Sequence, residues 1–131
     1  MKSLAFGFIV IILTACQPAK QTMDTEYRGF KAELADELKT MAEIDQVAAF
    51  VRKGEYTKLT DSEWEAFKDS VFTTHTMRLK EILQEFGYPG YDLVGKDGAR
   101  DFWLMTQHAD KNVDFQLNVL RQLKAEVDKN N

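Results

Sequence analysis

The chain of 131 residues carries 17 Lys and Arg against 21 Asp and Glu, a formal net charge of −4 at pH 7. Charges of both signs are interspersed without a basic block, so the composition argues against a nucleic-acid partner. Cys16 is the only cysteine, which excludes a disulfide framework and leaves a domain that must be stable through its core alone.

The N-terminal segment has the pattern of a secretory signal peptide. Lys2 precedes an apolar run from Leu4 to Leu13, about half of the roughly 20 residues that a membrane-spanning helix needs. The run ends in the sequence LTAC, which closes on Cys16 and resembles the lipobox of bacterial lipoproteins. We therefore expect residues 1–15 to be cleaved and Cys16 to carry a diacylglyceryl group and a further acyl chain such as palmitate.

This lipidation predicts where the protein resides. More than one acyl chain anchors a protein stably, so we expect it to stay on a bacterial membrane surface. Gln17 after the cysteine favours the outer membrane, facing the periplasm, in an organism that has one. Residues 16–25 then comprise the lipidated cysteine and a polar tether with a reach of roughly 20 Å. Residues 26–131 are predicted to form one helical domain.

The first predicted helix begins near Tyr27 and ends at Gly54. Asp24 or Thr25 is expected to cap its start, and Gly54 to take a left-handed conformation. The apolar residues recur at the three- and four-residue spacing of one helix face: Tyr27, Phe30, Leu34, Leu38, Met41, Ile44, Ala48 and Val51. This face fits a coiled-coil seam as well, but the core face of a bundle helix is favoured.

A second helix is predicted from the capping-box spacing of Thr60 and Glu63 to Gly87, which closes it. One face carries Trp64, Phe67, Val71, His75, Leu79, Ile82 and Phe86. A lone histidine on an apolar face is usually a packed core residue, so His75 is assigned to the core. With one other histidine and no free cysteine ligands, we expect no zinc or other metal site and no cofactor.

Residues 87–99 are predicted to form a loop because Pro89 and several glycines break both periodicities. Glycines before a helix can cradle phosphate. Here the spacing fits neither the P-loop nor the dinucleotide fingerprint, so phosphate binding is not expected. Tyr88 and Tyr91 are expected to pack this loop against the bundle.

Two further helices are predicted on either side of the sequence QHADKN, with Asp97 as a cap for the third and Asn112 or Asp114 starting the fourth. The third helix would carry Ala99, Phe102, Trp103, Thr106 and Ala109 on one side, and the fourth Val113, Leu117, Leu120, Leu123 and Val127. The predicted fold class is all-α, a compact bundle of about four helices after the signal peptide and tether.

The sequence FGYPGYDLVGKDGARDFWLMTQHADKNVDFQ resembles the signature of an uncharacterised bacterial domain family, a domain of unknown function. The matching positions are Gly87, Tyr88, Pro89, Val94, Gly95, Gly98, Ala99, Trp103, Gln107, His108, Ala109, Asp110, Phe115 and Gln116. Asp45 and Gln46 also fit that pattern. Many members continue into segments containing L-T-D-R-V and Y-G-T-Q, which this chain lacks, so the resemblance implies a reduced or lost site if those segments contribute to it. The family lends no established activity.

The residues Gln107 to Asp110 are open to a functional or a structural interpretation. In an enzyme, His108 would be the general acid or base, since the unperturbed pKa of histidine lies near neutrality, and Asp110 or Asp45 would orient its ring. Gln107 and Gln116 would position a ligand. In the structural interpretation, Asp110 or Asn112 caps the last helix while Gln107 and His108 bond carbonyls of residues 95–98.

We expect a binding or interaction module of the bacterial envelope rather than an enzyme, acting on an envelope protein or a small ligand. Its binding candidates are Gln46, Gln107, Gln116, Trp103 and Tyr88. One alternative is a small hydrolase or metal-dependent enzyme that uses His108, Asp110 and Asp45. Another is an immunity or inhibitor lipoprotein. The sequence leaves the oligomeric state open.

Overall fold

The computed structural model describes residues 29–129, which fold into four α-helices. These are α1, Ala32–Ala49; α2, Asp61–Phe86; α3, Tyr91–Gln107; and α4, Val113–Asp128, with a short 3-10 helix, Gly54–Lys58, between α1 and α2. The described part of the chain contains no β-strand, so the predicted all-α fold class is confirmed. The predicted signal peptide, Cys16 and the tether lie outside the described residues.

The core lies where α1 packs on both α2 and α3. Its largest fully buried apolar side chains are Leu38, Leu79, Ile82, Leu93, Phe102, Met105 and Val119. Full burial of each such side chain contributes about 1.5–3 kcal/mol, so this cluster is the main source of stability. The last helix, α4, joins it through Phe115 and Val119. No helix among residues 29–129 is long and apolar enough to cross a membrane.

The first helix is shorter than the sequence predicted. It begins at Ala32, and the preceding Lys31 has extended backbone without a side-chain cap, while Asp24 and Thr25 lie outside the described residues. It ends at Ala49, where Phe50 takes an extended backbone, and Phe50 and Val51 are both exposed. The prediction that Gly54 ends this helix is therefore wrong. That glycine has the predicted positive φ, 59°, but begins the 3-10 helix.

The buried face of α1 also differs from the predicted one. It consists of Leu34, Leu38, Ala42, Asp45 and Ala48. Ile44, which the apolar pattern placed on this face, is exposed, and the carboxylate at the next position is buried instead. A polar residue thus occupies a core position that hydrophobic periodicity assigns to its neighbour.

Two helix starts illustrate what local signals can and cannot predict. The predicted capping box of α2 is present: the Thr60 side chain accepts from the Glu63 backbone N–H, and the Glu63 carboxylate accepts from the Thr60 backbone N–H. Asn112 directly precedes α4 as predicted, but its side chain makes no capping bond. Its Oδ1 accepts from Lys80 Nζ at 2.6 Å and so ties the corner to α2.

The predicted loop at residues 87–99 is wrong from Tyr91 onward. Leu93 and Val94 are buried in a helical turn that belongs to α3, and Gly95, with φ 72° and ψ 175°, is the one non-helical residue inside it. The glycine interrupts the helix and thereby lets the apolar pair turn into the core. The helix-breaking residues of this stretch concealed its apolar periodicity.

The two tyrosines of this stretch differ. Tyr88 is buried and contacts Phe102 edge to face, with ring centroids 5.6 Å apart, as expected for a residue that packs this stretch on the bundle. Burial raises the pKa of Tyr88 to about 12. Tyr91 is exposed, so its predicted packing role is wrong.

Candidate functional site

A buried carboxylate lies between the chain's two histidines. Asp45 is 0% exposed. Its Oδ1 lies 2.5 Å from Nδ1 of His108, and its Oδ2 lies 3.4 Å from Nδ1 of His75. Asp45 follows Leu38 and Ala42 on the buried face of α1, so the helix itself points the carboxylate inward. We call Asp45, His75 and His108 the Asp45 cluster.

With Asp45 ionised, its two contacts require a hydrogen on Nδ1 of both rings. An ionised carboxylate only accepts hydrogen bonds, so each contacting Nδ1 must carry the hydrogen. A neutral His108 then has its lone pair on Nε2, an assignment that follows from the hydrogen-bond pattern. A buried carboxylate is costly unless it is hydrogen-bonded, and the two N–H groups of His75 and His108 meet that requirement.

His108 is the more accessible of the two histidines. Its side chain is 27% exposed, against 12% for His75. It is the residue that ends α3, and its backbone N–H bonds the carbonyl of Met105. Its ring lies against Phe72 of α2, with centroids 5.3 Å apart. The ring is therefore held on one side by a carboxylate and on another by an aromatic ring.

A cavity of about 120 Å³ opens beside this ring. Its lining includes Asp69, Phe72, Thr76, His108, Asp110 and Lys111. We call it the His108 cavity. Asp69 and Lys111 form an ion pair across it. Within residues 29–129 no group of three His, Cys, Asp or Glu side chains is placed to hold a metal ion.

The two carboxylates that the sequence predicted as partners of His108, Asp45 and Asp110, differ in their contacts. The structure pairs His108 with Asp45, one of the two carboxylates that the enzyme interpretation named, and shows no bond to Asp110 among the described residues. Asp110 is exposed and lines the cavity instead. It does not cap α4. Gln46 Nε2 lies 3.5 Å from Asp45 Oδ1, the outer limit of a hydrogen bond.

Gln116 has a structural role at the corner between α3 and α4. Its Nε2 donates to the carbonyls of Thr106 at 3.1 Å and Gln107 at 3.3 Å, which belong to the last turn of α3, where carbonyls lack the regular helical partner. The side chain of Gln107 is exposed. The expectation that Gln107 and His108 bond carbonyls of residues 95–98 is wrong, because those residues lie near the opposite end of α3.

The remaining binding candidates lie along the seam of the last two helices. One cavity of about 340 Å³ is lined by Tyr88, Tyr91, Arg100, Trp103, Leu123 and Val127, among others. A second, of about 260 Å³, is lined by Trp103, Thr106, Gln107, Gln116 and Leu120. Because Trp103 lines both, we call them together the α3–α4 groove. A larger depression of about 780 Å³ between α2 and the start of α4 contains none of the predicted site residues.

Sequence reasoning assigned His75 to the core and missed Thr76, Phe72 and Asp69. A signal for the last three was present, since Asp69, Phe72 and Thr76 recur at helical spacing along one side of α2. It carried no weight alone, because threonine and aspartate on a helix are usually solvated. The placement of His108 against Phe72 and the ion pair of Asp69 with Lys111 give this side of α2 its partners.

No protein-family model, curated protein or solved structure matches this chain. The resemblance to an uncharacterised bacterial domain family therefore stays a prediction.

Proposed function

We propose that the protein is a lipid-anchored bacterial envelope protein that binds an apolar segment of another envelope protein in the α3–α4 groove. The observation that carries this proposal is the groove itself, which has the half-buried Trp103 at its centre. Binding energy at protein interfaces concentrates on such aromatic residues in partly enclosed sites. The membrane location is a proposal that rests on the LTAC sequence and Cys16.

The exposed side of α4 extends the same surface. The helix buries Phe115 and Val119 in the core, while Leu120 and Val127 are 47% and 59% exposed and line the groove. Contiguous apolar surface of this kind is typical of interaction sites. The exposed amide of Gln107 at its border supplies the polar rim that accompanies an apolar interface centre.

Site-specific photo-crosslinking in living bacteria tests this function. A photoreactive amino acid at Leu120, and separately at Val127, of the full-length protein should give the same discrete adduct. The matched control position is Met77, which is 56% exposed on α2 and outside the groove. Val127→Lys in the Leu120 background should remove the adduct, because a charge is then placed in the apolar groove. Equal adducts at Met77, or none at Leu120 and Val127, would refute the proposal.

A second candidate function, general-base catalysis, is favoured by the 2.5 Å contact between Asp45 and His108 beside a cavity. A carboxylate that fixes a histidine with its Nε2 lone pair free is the arrangement of a general base, which typically accelerates proton transfer by about 10²–10⁴-fold. The base would take a proton from a hydroxyl group or water. Asp110 is not needed for this arrangement.

Hydrolysis of p-nitrophenyl acetate by the full-length chain tests the second candidate. His108→Gln should lower the rate by roughly 100-fold, whereas His75→Gln, which removes the less accessible ring, should leave most of it. A rate with His108→Gln equal to the wild-type rate would exclude His108 as the base.

A further inference from the structure

We infer that the His108 cavity is a binding site for a primary ammonium group, carried by a small amine or by a lysine side chain. The proposal concerns a different surface from the α3–α4 groove. It also holds whether or not His108 catalyses a reaction, because it depends only on which groups face the cavity.

The first argument comes from Thr76. This residue is 5% exposed, lines the cavity, and has no hydrogen-bond partner for its hydroxyl within the described residues. No fully buried side-chain oxygen or nitrogen among those residues lacks a partner, so the hydroxyl is reached from outside. A nearly buried polar group that keeps its hydrogen-bonding capacity open to a cavity is expected to meet a polar ligand there.

The second argument comes from the His108 ring. Its Nδ1 is used by Asp45, so a neutral ring offers the Nε2 lone pair and no N–H on its remaining edge. Nε2 has no partner within residues 29–129. A ligand that meets this atom of the neutral ring must therefore donate a hydrogen bond. An ammonium group has three such donors, and a carboxylate or phosphate oxygen has none.

The third argument is electrostatic. Asp69 and Lys111 form an ion pair, so their opposite charges largely cancel. Asp110 is then the unpaired charge of the lining, since it has no ion-pair partner among the described residues. Asp45 lies directly behind His108 and adds negative charge on the same side. Lys80 Nζ bonds Oδ1 of the lining residue Asn112 at 2.6 Å. The carboxylates of Asp45 and Asp110 outnumber this one ammonium, so the nearby charges favour a cation over an anion.

The aromatic wall and the small volume of the His108 cavity further restrict which ligands it can bind. The Phe72 ring lines the cavity, and aromatic faces attract ammonium groups by about 0.5–2 kcal/mol. Drug-sized ligands need cavities of about 300–1,000 Å³. At about 120 Å³ this one accommodates only a small group, such as methylammonium or the end of a lysine chain.

The test is an NMR titration of the full-length chain in detergent micelles, with methylammonium chloride as the probe and sodium acetate as the anionic counterpart. Methylammonium should shift the side-chain nitrogens of His108 and the methyl group of Thr76 along one saturating curve. Acetate should not. If acetate shifts them as strongly as methylammonium, or if methylammonium shifts neither, the proposal is overturned.

Two variants show whether the named groups hold the probe. Asp110→Asn removes the unpaired charge from an exposed residue, so the fold is kept, and the Kd for methylammonium should rise by about two- to fivefold. Thr76→Val removes the hydroxyl at constant shape and should also raise the Kd. The matched control is Asp114→Asn, an exposed carboxylate outside the cavity, which should leave the Kd unchanged. An unchanged Kd with Asp110→Asn would overturn the proposal.

The two sources of the ammonium group are separated by a second probe, Nα-acetyl-lysine amide. Tighter binding of this probe than of methylammonium supports a lysine side chain of a partner protein. Tighter binding of methylammonium supports a free small amine. Loss of the crosslinks at the α3–α4 groove bears on the proposed function alone and leaves this site standing.

Discussion

The carboxylate of Asp45 in the middle of α1 lies 2.5 Å from Nδ1 of His108, 63 residues further along the chain, at the end of α3. Through this contact the core helix fixes the position of the corner that leads into α4. His75 of α2 contacts the second oxygen of the same carboxylate. One buried side chain thus connects three helices, and its loss should weaken the packing of all three.

We predict that His108→Ala destabilises the protein by about 1–3 kcal/mol, because it leaves one oxygen of a buried carboxylate without its donor. Asp110→Ala should change the free energy of unfolding by less than about 0.5 kcal/mol, since that side chain is exposed and bonds no described residue. Urea unfolding of both variants measures the difference. Equal losses would mean that the bond between Asp45 and His108 does not brace the corner.

Gly98 is predicted to resist even the smallest substitution. A Cβ at this position would lie 2.8 Å from Cβ of Val94, a separation that forces the backbone around the Gly95 break to shift. Gly98→Ala should therefore cost about 1–3 kcal/mol. Gly29→Ala is the matched control, since a Cβ there meets nothing within 4 Å. Thermal or urea unfolding that shows the two variants to be equally stable would contradict the close approach.

The sequence predicted helices where apolar spacing and local caps agreed, as at Thr60 and along the buried face of α2. The sequence-based prediction was wrong where a single residue departed from the surrounding hydrophobic pattern. Gly95 made a helical stretch look like a loop, and Asp45 occupied a core position that periodicity gave to Ile44. Both depend on long-range packing, which a pattern of spacings does not contain.

The candidate site was predictable only in part, for the same reason. His108 and Asp45 were both singled out from the sequence, but their contact joins residues that only the packing of α1 against α3 brings together. Gln116 was predicted to position a ligand, which stays a prediction, and its bonds to the carbonyls at the end of α3 were not predicted. Thr76 could not be recognised, because its significance lies in its place in the lining of a cavity formed with His108.

The stability of the bundle should depend on pH through Glu37. Both oxygens of this carboxylate accept from Arg78 of α2, at 2.5 and 2.9 Å, and these hydrogen bonds hold the pKa of Glu37 below 4.5. A lowered folded-state pKa means that the stabilisation is complete above the unfolded-state value and is lost as pH falls through the folded-state value. Wild type should thus be more stable than Glu37→Gln at pH 7.

The difference between these two proteins should shrink as the pH is lowered from about 5 towards 3. Urea unfolding across that range measures it. Glu43→Gln serves as the control, because Glu43 is exposed and makes no hydrogen bond or ion pair with a described residue, so its difference from wild type should stay small at every pH. If the difference in unfolding free energy between wild type and Glu37→Gln stayed constant with pH, the ion pair with Arg78 would not be a source of pH-dependent stability.

Cys16 is predicted to hold the protein on the membrane through its acyl chains. Cys16→Ser should abolish incorporation of labelled palmitate and move the protein from the membrane fraction to the soluble fraction, because one serine hydroxyl cannot replace the thiol that is alkylated. Gln17→Asp is the matched variant: it should keep the palmitate label but shift the protein from the outer to the inner membrane in a bacterium that has both. Palmitate incorporation by Cys16→Ser, or a wild-type protein that carries no label, would show that the LTAC sequence is not a lipidation site.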